Sequence, residues 1–270
     1  MFCDYHVHTY YSDDSIYPME EVIKDAINLK MNEIWFTDHV DYGIKNDVGY
    51  HEINTDKTNV DYPKYFKEIE NLQKRYPAIS IKKGLEFGIQ RHTIAKFQKL
   101  YEDYPLDFVI LSCHQVDDLE FWTQDYQRNK SQEEYNMGYF KEILEVIKVY
   151  KDYSVLGHLD YMVRYDKKGE YPFKKIKDIV KEILEIAIKD QKGIELNTSY
   201  VRYGLNDLTP SKDILKLYYD LGGKIITIGS DSHQKDHLGK YIEENKQILK
   251  EIGFKEFCTF DKMKPIFWEL

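Results

Sequence analysis

The chain has 270 residues, 42% of them hydrophobic, and a formal net charge of −9 at pH 7. This length and composition allow a full hydrophobic core, and we expect a single domain spanning residues 1–270. The acidic balance argues against a nucleic-acid partner, because phosphate backbones bind basic surfaces. It does not argue against a small phosphorylated substrate, since bound cations supply positive charge locally.

Cysteine usage and hydropathy predict a cytoplasmic protein with no membrane partner. The three cysteines, Cys3, Cys113 and Cys258, lack metal-finger spacing and fit a reducing compartment as buried thiols. Asp4 and His6 interrupt any signal-peptide core, and no apolar run approaches membrane-spanning length. The sequence does not set the oligomeric state.

Strand and helix patterns alternate along the chain, which is typical of a parallel α/β fold. The candidate strands are Phe2–His6, Glu33–Thr37, Ser80–Phe87, Asp107–His114, Ser154–His158, Gly193–Asn197 and Lys224–Ser230. Between them, apolar residues recur at helical spacing, most clearly after Phe173. Thr209-Pro210 predicts a helix start, with Thr209 as N-cap, and Gly222-Gly223 predicts the end of that helix.

Metal-type ligands follow these strands with unusual regularity. They are His6, His8, Asp14, His39, Glu86, His114, His158, Asp231 and His233. Residues i and i+2 of a strand share a face, so His6 and His8 can bind one ion. Ligands at every strand end must converge on one centre, and only a closed ring achieves this. We therefore predict a (β/α)7 barrel, a distorted TIM-like barrel, with a metal cluster at the carboxyl ends of its strands.

Other residues near this mouth leave alternatives open. Any one of these histidines alone is more simply a surface or core residue, but six of the chain's nine falling at one end argue for the cluster. Asp13 is an alternative to Asp14, and Asp38 is expected to orient a ligand such as His39 rather than bind metal. We interpret His51 and His92 as loop or helix residues, and His237 as a residue of the rim.

Two long connections, Val40–Tyr62 and Gln115–Lys130, follow ligand-bearing strand ends and are expected to cover the site. Arg164 and Arg202 follow the fifth and sixth strands and are expected to bind phosphate, because a guanidinium binds phosphate bidentately. Arg91 and Arg128 have weaker claims to that role.

Mixed imidazole and carboxylate ligands suit zinc, manganese and iron alike. Such a cluster predicts hydrolysis of a phosphate monoester by a water that bridges two cations and loses a proton near neutral pH. Additional positive charge would neutralise the phosphate oxygens as the transition state forms. No motif for a nucleophilic serine, cysteine or aspartate is evident.

The order of these motifs resembles the polymerase and histidinol phosphatase (PHP) family across almost the whole chain. The segments most like its stand-alone histidinol-phosphate phosphatases are Asp4-Tyr5-His6-Val7-His8-Thr9, Ser12-Asp13-Asp14-Ser15, Gly157-His158-Leu159-Asp160 and Glu195-Leu196-Asn197-Thr198-Ser199.

The resemblance implies three divalent ions and a substrate. One ion would be held by His6, His8, Glu86 and Asp231. A second would share Glu86 and add His114 and His158. A third would take Asp14, His39 and His233. The reaction implied is hydrolysis of L-histidinol phosphate to L-histidinol and phosphate, a step of histidine biosynthesis.

Three other functions remain open on the sequence. Another PHP-family phosphoesterase would act on a nucleotide or on phosphotyrosine. An amidohydrolase-type enzyme would normally carry a carboxylated lysine where Glu86 stands. A metal-dependent binding or regulatory module would be expected to have lost ligands, and here the set is intact.

Overall fold

The computed structural model describes residues 1–43 and 60–270, and within them it contains twelve strands and seven α-helices. The strands are β1 (Cys3–Val7), β2 (Glu33–Phe36), β3 (His39–Asp41), β4 (Ser80–Gly88), β5 (Phe108–Ser112), β6 (Gln115–Val116), β7 (Leu119–Glu120), β8 (Val155–Leu156), β9 (Gly193–Asn197), β10 (Ile226–Gly229), β11 (Glu256–Asp261) and β12 (Lys264–Glu269). The helices are α1 (Met19–Asn28), α2 (Tyr62–Arg75), α3 (Ile94–Asp103), α4 (Gln132–Val149), α5 (Phe173–Lys189), α6 (Lys212–Asp220) and α7 (Ile242–Ile252).

Seven parallel strands form a nearly closed barrel, in the order β1-β2-β4-β5-β8-β9-β10. They are the seven predicted strands, so the predicted (β/α)7 barrel is confirmed. The separate strand β3 pairs with the carboxyl-terminal part of β4 and places His39 opposite Glu86. Most of the strands are shorter than predicted, and several ligands lie one or two residues beyond their ends.

The ring closes where β10 meets β1. The amide of His8 donates to the carbonyl of Ser232 at 2.7 Å, and the amide of Ser232 donates to the carbonyl of His6 at 3.0 Å. The buried carboxylate of Asp4 accepts hydrogen bonds from the amide and hydroxyl of Ser230, at 2.8 and 2.5 Å. These bonds draw the first and last strand ends together around one mouth.

The helices bury the apolar stripes that the sequence predicts. On α5 the buried residues are Ile176, Val180, Ile183, Leu184 and Ala187. Their recurrence every three or four residues turns one face of the helix toward the sheet. Helix α4 starts with a capping box in which Ser131 and Glu134 each accept the other's backbone N–H.

An antiparallel hairpin of β11 and β12 closes the amino-terminal end of the barrel. The amide of Phe260 donates to the hydroxyl of Tyr5 at 2.7 Å, and the Phe260 ring lies 5.0 Å from that of Phe108. Tyr5 in turn stacks on Trp35 at 4.6 Å. This aromatic plug fills the end of the barrel opposite the mouth.

The predicted start of α6 is wrong. Helix α6 begins at Lys212 after Ser211, and the peptide bond between Thr209 and Pro210 is cis. The amide of Asn197 donates to the carbonyl of Thr209 at 2.8 Å, so Thr209 extends the edge of β9 and does not cap the helix. Gly222, with a φ of 86°, follows the end of α6 as predicted.

The two long connections differ in how far the structure describes them. Residues 44–59 of the Val40–Tyr62 connection, including His51, lie outside the described residues, and its covering role stays a prediction. The other connection contains the short hairpin of β6 and β7. Its buried Phe121 packs 6.2 Å from Tyr161, a residue that contacts the histidine cluster. No helix within the described ranges is both long and apolar enough to cross a membrane.

Candidate metal centre

Glu86 lies at the centre of the barrel mouth and faces imidazole nitrogens on both carboxylate oxygens. Its Oε2 lies 2.8 Å from His39 Nδ1 and 3.2 Å from His6 Nε2. Its Oε1 lies 2.8 Å from His158 Nε2 and 3.3 Å from His114 Nε2. A carboxylate surrounded in this way can bridge two cations.

Two further carboxylates, those of Asp231 and Asp14, extend the cluster toward the rim of the mouth. Asp231 Oδ1 lies 3.4 Å from His8 Nε2 and 3.6 Å from His233 Nδ1. Asp14, half-exposed at the rim, lies 3.0 Å from His233 Nε2 and 3.6 Å from His39 Nε2. His39 therefore faces Glu86 through one ring nitrogen and Asp14 through the other.

The donor atoms fit divalent cations. Several of them are buried without a hydrogen-bond partner in the described part of the chain: His6 Nε2, His8 Nε2, His39 Nδ1, His233 Nε2 and Glu86 Oε2. Four triads have ligand atoms within 4.8 Å of one another: His8-His39-His233, His6-His8-Asp231, His6-Glu86-His158 and His39-Glu86-His114. Imidazole and carboxylate donors in such sets suit zinc and other borderline divalent ions.

Two buried carboxylates contact imidazoles of the cluster at the ring nitrogen that faces away from Glu86. His6 Nδ1 lies 2.6 Å from Glu195 Oε1, and His114 Nδ1 lies 3.0 Å from Asp41 Oδ1. Each contact favours the tautomer with the proton on Nδ1, which leaves the Nε2 lone pair directed at Glu86 and the cluster. Glu195 also accepts the amide of His158 at 3.0 Å and so holds two ligand positions.

Ser12 links Asp38 to two further ligands. Its hydroxyl donates to Asp38 Oδ1 at 2.7 Å and accepts from the amide of His39 at 3.1 Å. His8 Nδ1 also lies 3.1 Å from this hydroxyl oxygen of Ser12. These contacts use the one donor and two acceptor positions of a hydroxyl and leave His8 Nε2 free for a cation.

The charges of the cluster shift one another's pKa values. Burial alone raises the pKa of Glu86, but His6 and His114 outweigh it and hold that pKa well below its usual range. Burial and the neighbouring imidazoles hold the pKa of His8 well below its usual range. Despite burial, the neighbouring carboxylates raise the pKa values of His6 and His39, so these imidazoles hold protons that a bound cation would displace.

Close backbone approach makes room for these pairs. A side chain at Gly229 would collide with His6 and with the Glu195 carboxylate, and one at Gly88 would collide with Asp41 and His114. Two ligand positions also carry backbone strain, since the φ of His158 is 23° and that of Asp231 is 55°.

Arg164 is buried at the inner side of the mouth. Its Nη2 donates to Ser199 Oγ at 2.5 Å and to Asp231 Oδ2 at 3.0 Å. The guanidinium lies between the rings of Tyr161 and Tyr203, 4.7 and 4.6 Å from their centroids. Its Nε is buried and has no hydrogen-bond partner among the described residues, so this N–H remains available to a ligand.

Arg202 is more exposed and is tied to the chain that carries Asp231. Its Nη1 donates to the carbonyl of Ser230 at 2.7 Å, and its Nη2 donates to the carbonyl of Asp231 at 2.5 Å. The same nitrogen lies 3.6 Å from Asp231 Oδ2. Both arginines thus lie beside the cluster, and both also hold Asp231 in place.

Comparison with known proteins identifies the family. A sequence profile described as the PHP domain matches residues 4–199. The chain is 33% identical to the histidinol-phosphatase of Lactococcus lactis over 270 residues, covering 97% of this chain and 95% of that protein. The chain belongs to the PHP domain family. It is also 30% identical to a probable histidinol-phosphatase of Clostridium acetobutylicum over 275 residues, covering 100% of this chain and 97% of that protein.

Solved structures support the same assignment. The crystal structure of histidinol phosphate phosphatase from Lactococcus lactis, complexed with zinc, L-histidinol and phosphate, matches this PHP domain with a TM-score of 0.84 at 32% identity, covering 98% of each chain. A chain of an archaeal ribonuclease P structure, solved by cryo-EM with mature tRNA, covers 93% of this chain and is itself covered to 83%, with a TM-score of 0.53 at 14% identity. That second likeness shows the fold alone.

The nine predicted ligands of the PHP domain all come together at the mouth, and the geometry favours Asp14 over Asp13 because Asp14 contacts two ligand imidazoles. Asp38 is buried and contacts Ser12, and its role in orienting a ligand stays a prediction. Through Ser12 it is linked both to His39, the ligand that the sequence argument named, and to His8.

Sequence reasoning assigned no role to Glu195, Asp41 or Ser12. Glu195 carried a signal, since a charged residue in the apolar strand Gly193–Asn197 needs a partner inside the fold. Asp41 carried none, because it lies in β3, where no strand was predicted.

The remaining candidates lie away from the ligand atoms. Exposed His92 pairs with Asp118 at 3.1 Å. Arg91 pairs with Glu142 and Arg128 with Asp125, so both arginines are engaged elsewhere. His237 lies on the rim, where burial and nearby Arg202 lower its pKa to about 4.

Proposed function

We propose that this protein hydrolyses L-histidinol phosphate to L-histidinol and inorganic phosphate, as a metal-dependent phosphomonoesterase. The observation that carries the proposal is the cluster of six imidazoles and three carboxylates that has Glu86 at its centre. The near-full-length relative from Lactococcus lactis is named histidinol-phosphatase, and its structure contains zinc, L-histidinol and phosphate.

The donor set supports three divalent ions. We assign His6, His8, Glu86 and Asp231 to one ion, Glu86 with His114 and His158 to a second, and Asp14, His39 and His233 to a third. Zinc is the favoured metal because it is bound in the Lactococcus lactis structure, while manganese and iron accept the same ligands. Bound ions would lower the pKa of a coordinated water and neutralise the phosphate oxygens.

The chain's own residues position this chemistry. Glu195, Asp41 and Ser12 fix the tautomers of three ligand imidazoles, and Arg164 offers a buried Nε–H at the inner wall. Arg202 adds positive charge on the outer side of Asp231. We propose that the two arginines bind the phosphate oxygens that the ions leave free, because a guanidinium donates strong charge-assisted hydrogen bonds to phosphate.

The remaining assignments stay proposals. We propose that residues 1–270 act as one domain, since the terminal hairpin packs into the barrel. The net charge of −9 supports a small phosphorylated substrate over nucleic acid. The cytoplasmic location predicted from cysteine usage fits three free, buried cysteines.

The test is release of inorganic phosphate by zinc-loaded protein from L-histidinol phosphate, a 5′-nucleotide, phosphotyrosine and p-nitrophenyl phosphate. We expect the highest kcat/KM for L-histidinol phosphate. A preference for the nucleotide or for phosphotyrosine would retain the metal phosphoesterase and overturn the substrate. No hydrolysis of any of the four by protein with confirmed bound metal would overturn the enzyme.

A further inference from the structure

A cavity of about 370 Å³ lies outside the barrel mouth, between the loop that follows β8 and helices α4, α5 and α6. This volume is within the range of small-molecule sites, about 300–1,000 Å³. Its apolar wall includes Phe140, Phe173, Ile176 and Ile214. The cavity therefore offers an apolar surface on which the body of a small molecule can pack.

The polar part of the lining is acidic. Five carboxylates line the cavity, Asp160, Asp166, Glu170, Asp207 and Asp213, and no lysine or arginine is among its described lining residues. Three of these acids already accept hydrogen bonds: Asp166 from Asn136 Nδ2, Asp207 from the amide of Lys212, and Asp160 from the amide of Ser211. Lys175, which lies over the ring of Tyr171, is 3.6 Å from Glu133, outside the lining.

Two lining side chains hold buried polar atoms that lack partners. Asp160 is 9% exposed, and its Oδ2 accepts the amide of Ser211 at 2.7 Å. Its Oδ1 and the hydroxyl of Tyr171 have no hydrogen-bond partner within residues 1–43 and 60–270. Buried polar atoms are nearly always satisfied, so these two atoms point to a missing donor.

The cavity is separate from the metal cluster. A 3₁₀ helix, Tyr161–Tyr165, divides them. Tyr161 and Arg164 face the cluster, where they contact His158 and Asp231. Met162 and Val163 line the cavity on the other side. A ligand in the cavity would therefore not occupy the position of the phosphate.

We propose that this cavity binds a small organic ammonium ion with an apolar or aromatic body. The ammonium would donate to Asp160 Oδ1, and its body would pack on the phenylalanine and isoleucine wall. A neutral ligand of the same shape would leave the buried carboxylate without a charged partner. The proposal concerns binding and stands whether or not the substrate is L-histidinol phosphate.

Isothermal titration calorimetry with two matched probes tests the proposal. Phenethylamine carries the ammonium, and phenethyl alcohol has a nearly identical shape without charge. Both are titrated into zinc-loaded protein in saturating inorganic phosphate, which occupies the metal site. We expect phenethylamine to bind at one site about 10- to 150-fold more tightly than the alcohol, the range for one charge-assisted hydrogen bond.

Three variants locate the binding. Asp160→Asn keeps an acceptor for the Ser211 amide and should abolish the preference for the amine. Leu205→Trp fills the cavity from its partly exposed side and should abolish binding of phenethylamine, which keeps the test available if the Asp160 variant does not fold. Glu185→Gln, exposed on α5 and outside the lining, should bind as wild type does.

Equal affinity for amine and alcohol, absence of binding to wild type, or unchanged binding by Leu205→Trp would each overturn the proposal. Weaker binding of phenethylamine at higher phosphate concentrations would also overturn the proposal, because it would show that the amine competes with phosphate for the metal site.

Discussion

The two arginines at the mouth both contact Asp231, and we propose that they also bind the phosphate of the substrate. Arg164→Ala and Arg202→Ala each remove a charge-assisted hydrogen bond to a desolvated anion, worth roughly 1.5–3 kcal/mol. We expect kcat/KM for L-histidinol phosphate to fall about 10- to 150-fold in each. Lysine at either position should recover only part, because it supplies charge without the planar fork.

Steady-state kinetics on L-histidinol phosphate and p-nitrophenyl phosphate, with metal content measured in parallel, check this prediction. Because both arginines also contact Asp231, any metal loss must be measured before the kinetic loss is interpreted. Losses on both substrates at full metal content indicate phosphate binding. Loss on L-histidinol phosphate alone would assign that arginine to the leaving group, and no loss would contradict its role.

Asp13 and Asp14 are the two alternative ligands for the proposed third ion, and their variants distinguish them. Asp14 lies 3.0 Å from His233, so Asp14→Ala should remove one equivalent of metal and most of kcat while leaving two ions bound. Asp13→Ala is the matched control and should be much milder. Elemental analysis with activity assays distinguishes them, and an inactive Asp13 variant beside an active Asp14 variant would refute the assignment.

At the scale of elements, β9 supports the cluster through Glu195. Glu195→Gln keeps the size of the side chain but removes the charge beside His6 Nδ1. Loss of such a supporting carboxylate typically lowers metal affinity about 10- to 100-fold, and we expect a loss in this range. Zinc titration against a competing chelator measures it, with Glu185→Gln as an exposed control. Wild-type zinc affinity in Glu195→Gln would contradict the supporting role, whereas recovery of kcat at excess zinc would agree with it.

The β11–β12 hairpin gives a stability prediction at the same scale. Phe260 is 2% exposed in the aromatic plug, and Phe260→Ala should cost about 3–5 kcal/mol of the free energy of unfolding. Phe267, on β12, is 42% exposed, and Phe267→Ala should cost clearly less. Urea unfolding monitored by circular dichroism compares the two. Equal losses would mean that the hairpin does not plug the barrel.

Periodicity and strand-end ligands were enough to predict the seven barrel strands, because parallel strands buried on both faces read as apolar runs. They did not predict the hairpin. Its turn places Lys262 and Met263 at φ values of 48° and 64°, and neither is the glycine or asparagine that normally marks such a turn. Strand β3 was missed because it is only three residues long, and His39-Val40-Asp41 contains no apolar run.

The convergence of the nine candidate ligands was predictable from the sequence, and the residues behind them were not. Strand-end position identifies His158 or Asp231 because the fold carries every strand end to one mouth. The residues that orient ligands depend on contacts between distant strands, such as Glu195 with His6, 189 residues apart. Helix start Thr209-Pro210 failed for the same reason, because the bridge to Asn197 is tertiary and overrides the local capping preference.

For the whole molecule, the account depends on one claim: that the mouth of the barrel is a metal centre that hydrolyses L-histidinol phosphate. Adding zinc stepwise to metal-free protein, while measuring phosphate release from L-histidinol phosphate, tests this claim most directly. We predict no activity at zero metal, activity that rises with bound zinc and levels off near three equivalents, and no recovery in Glu86→Ala at any zinc concentration. Full activity in protein shown to be free of metal, or full activity of Glu86→Ala, would contradict the claim.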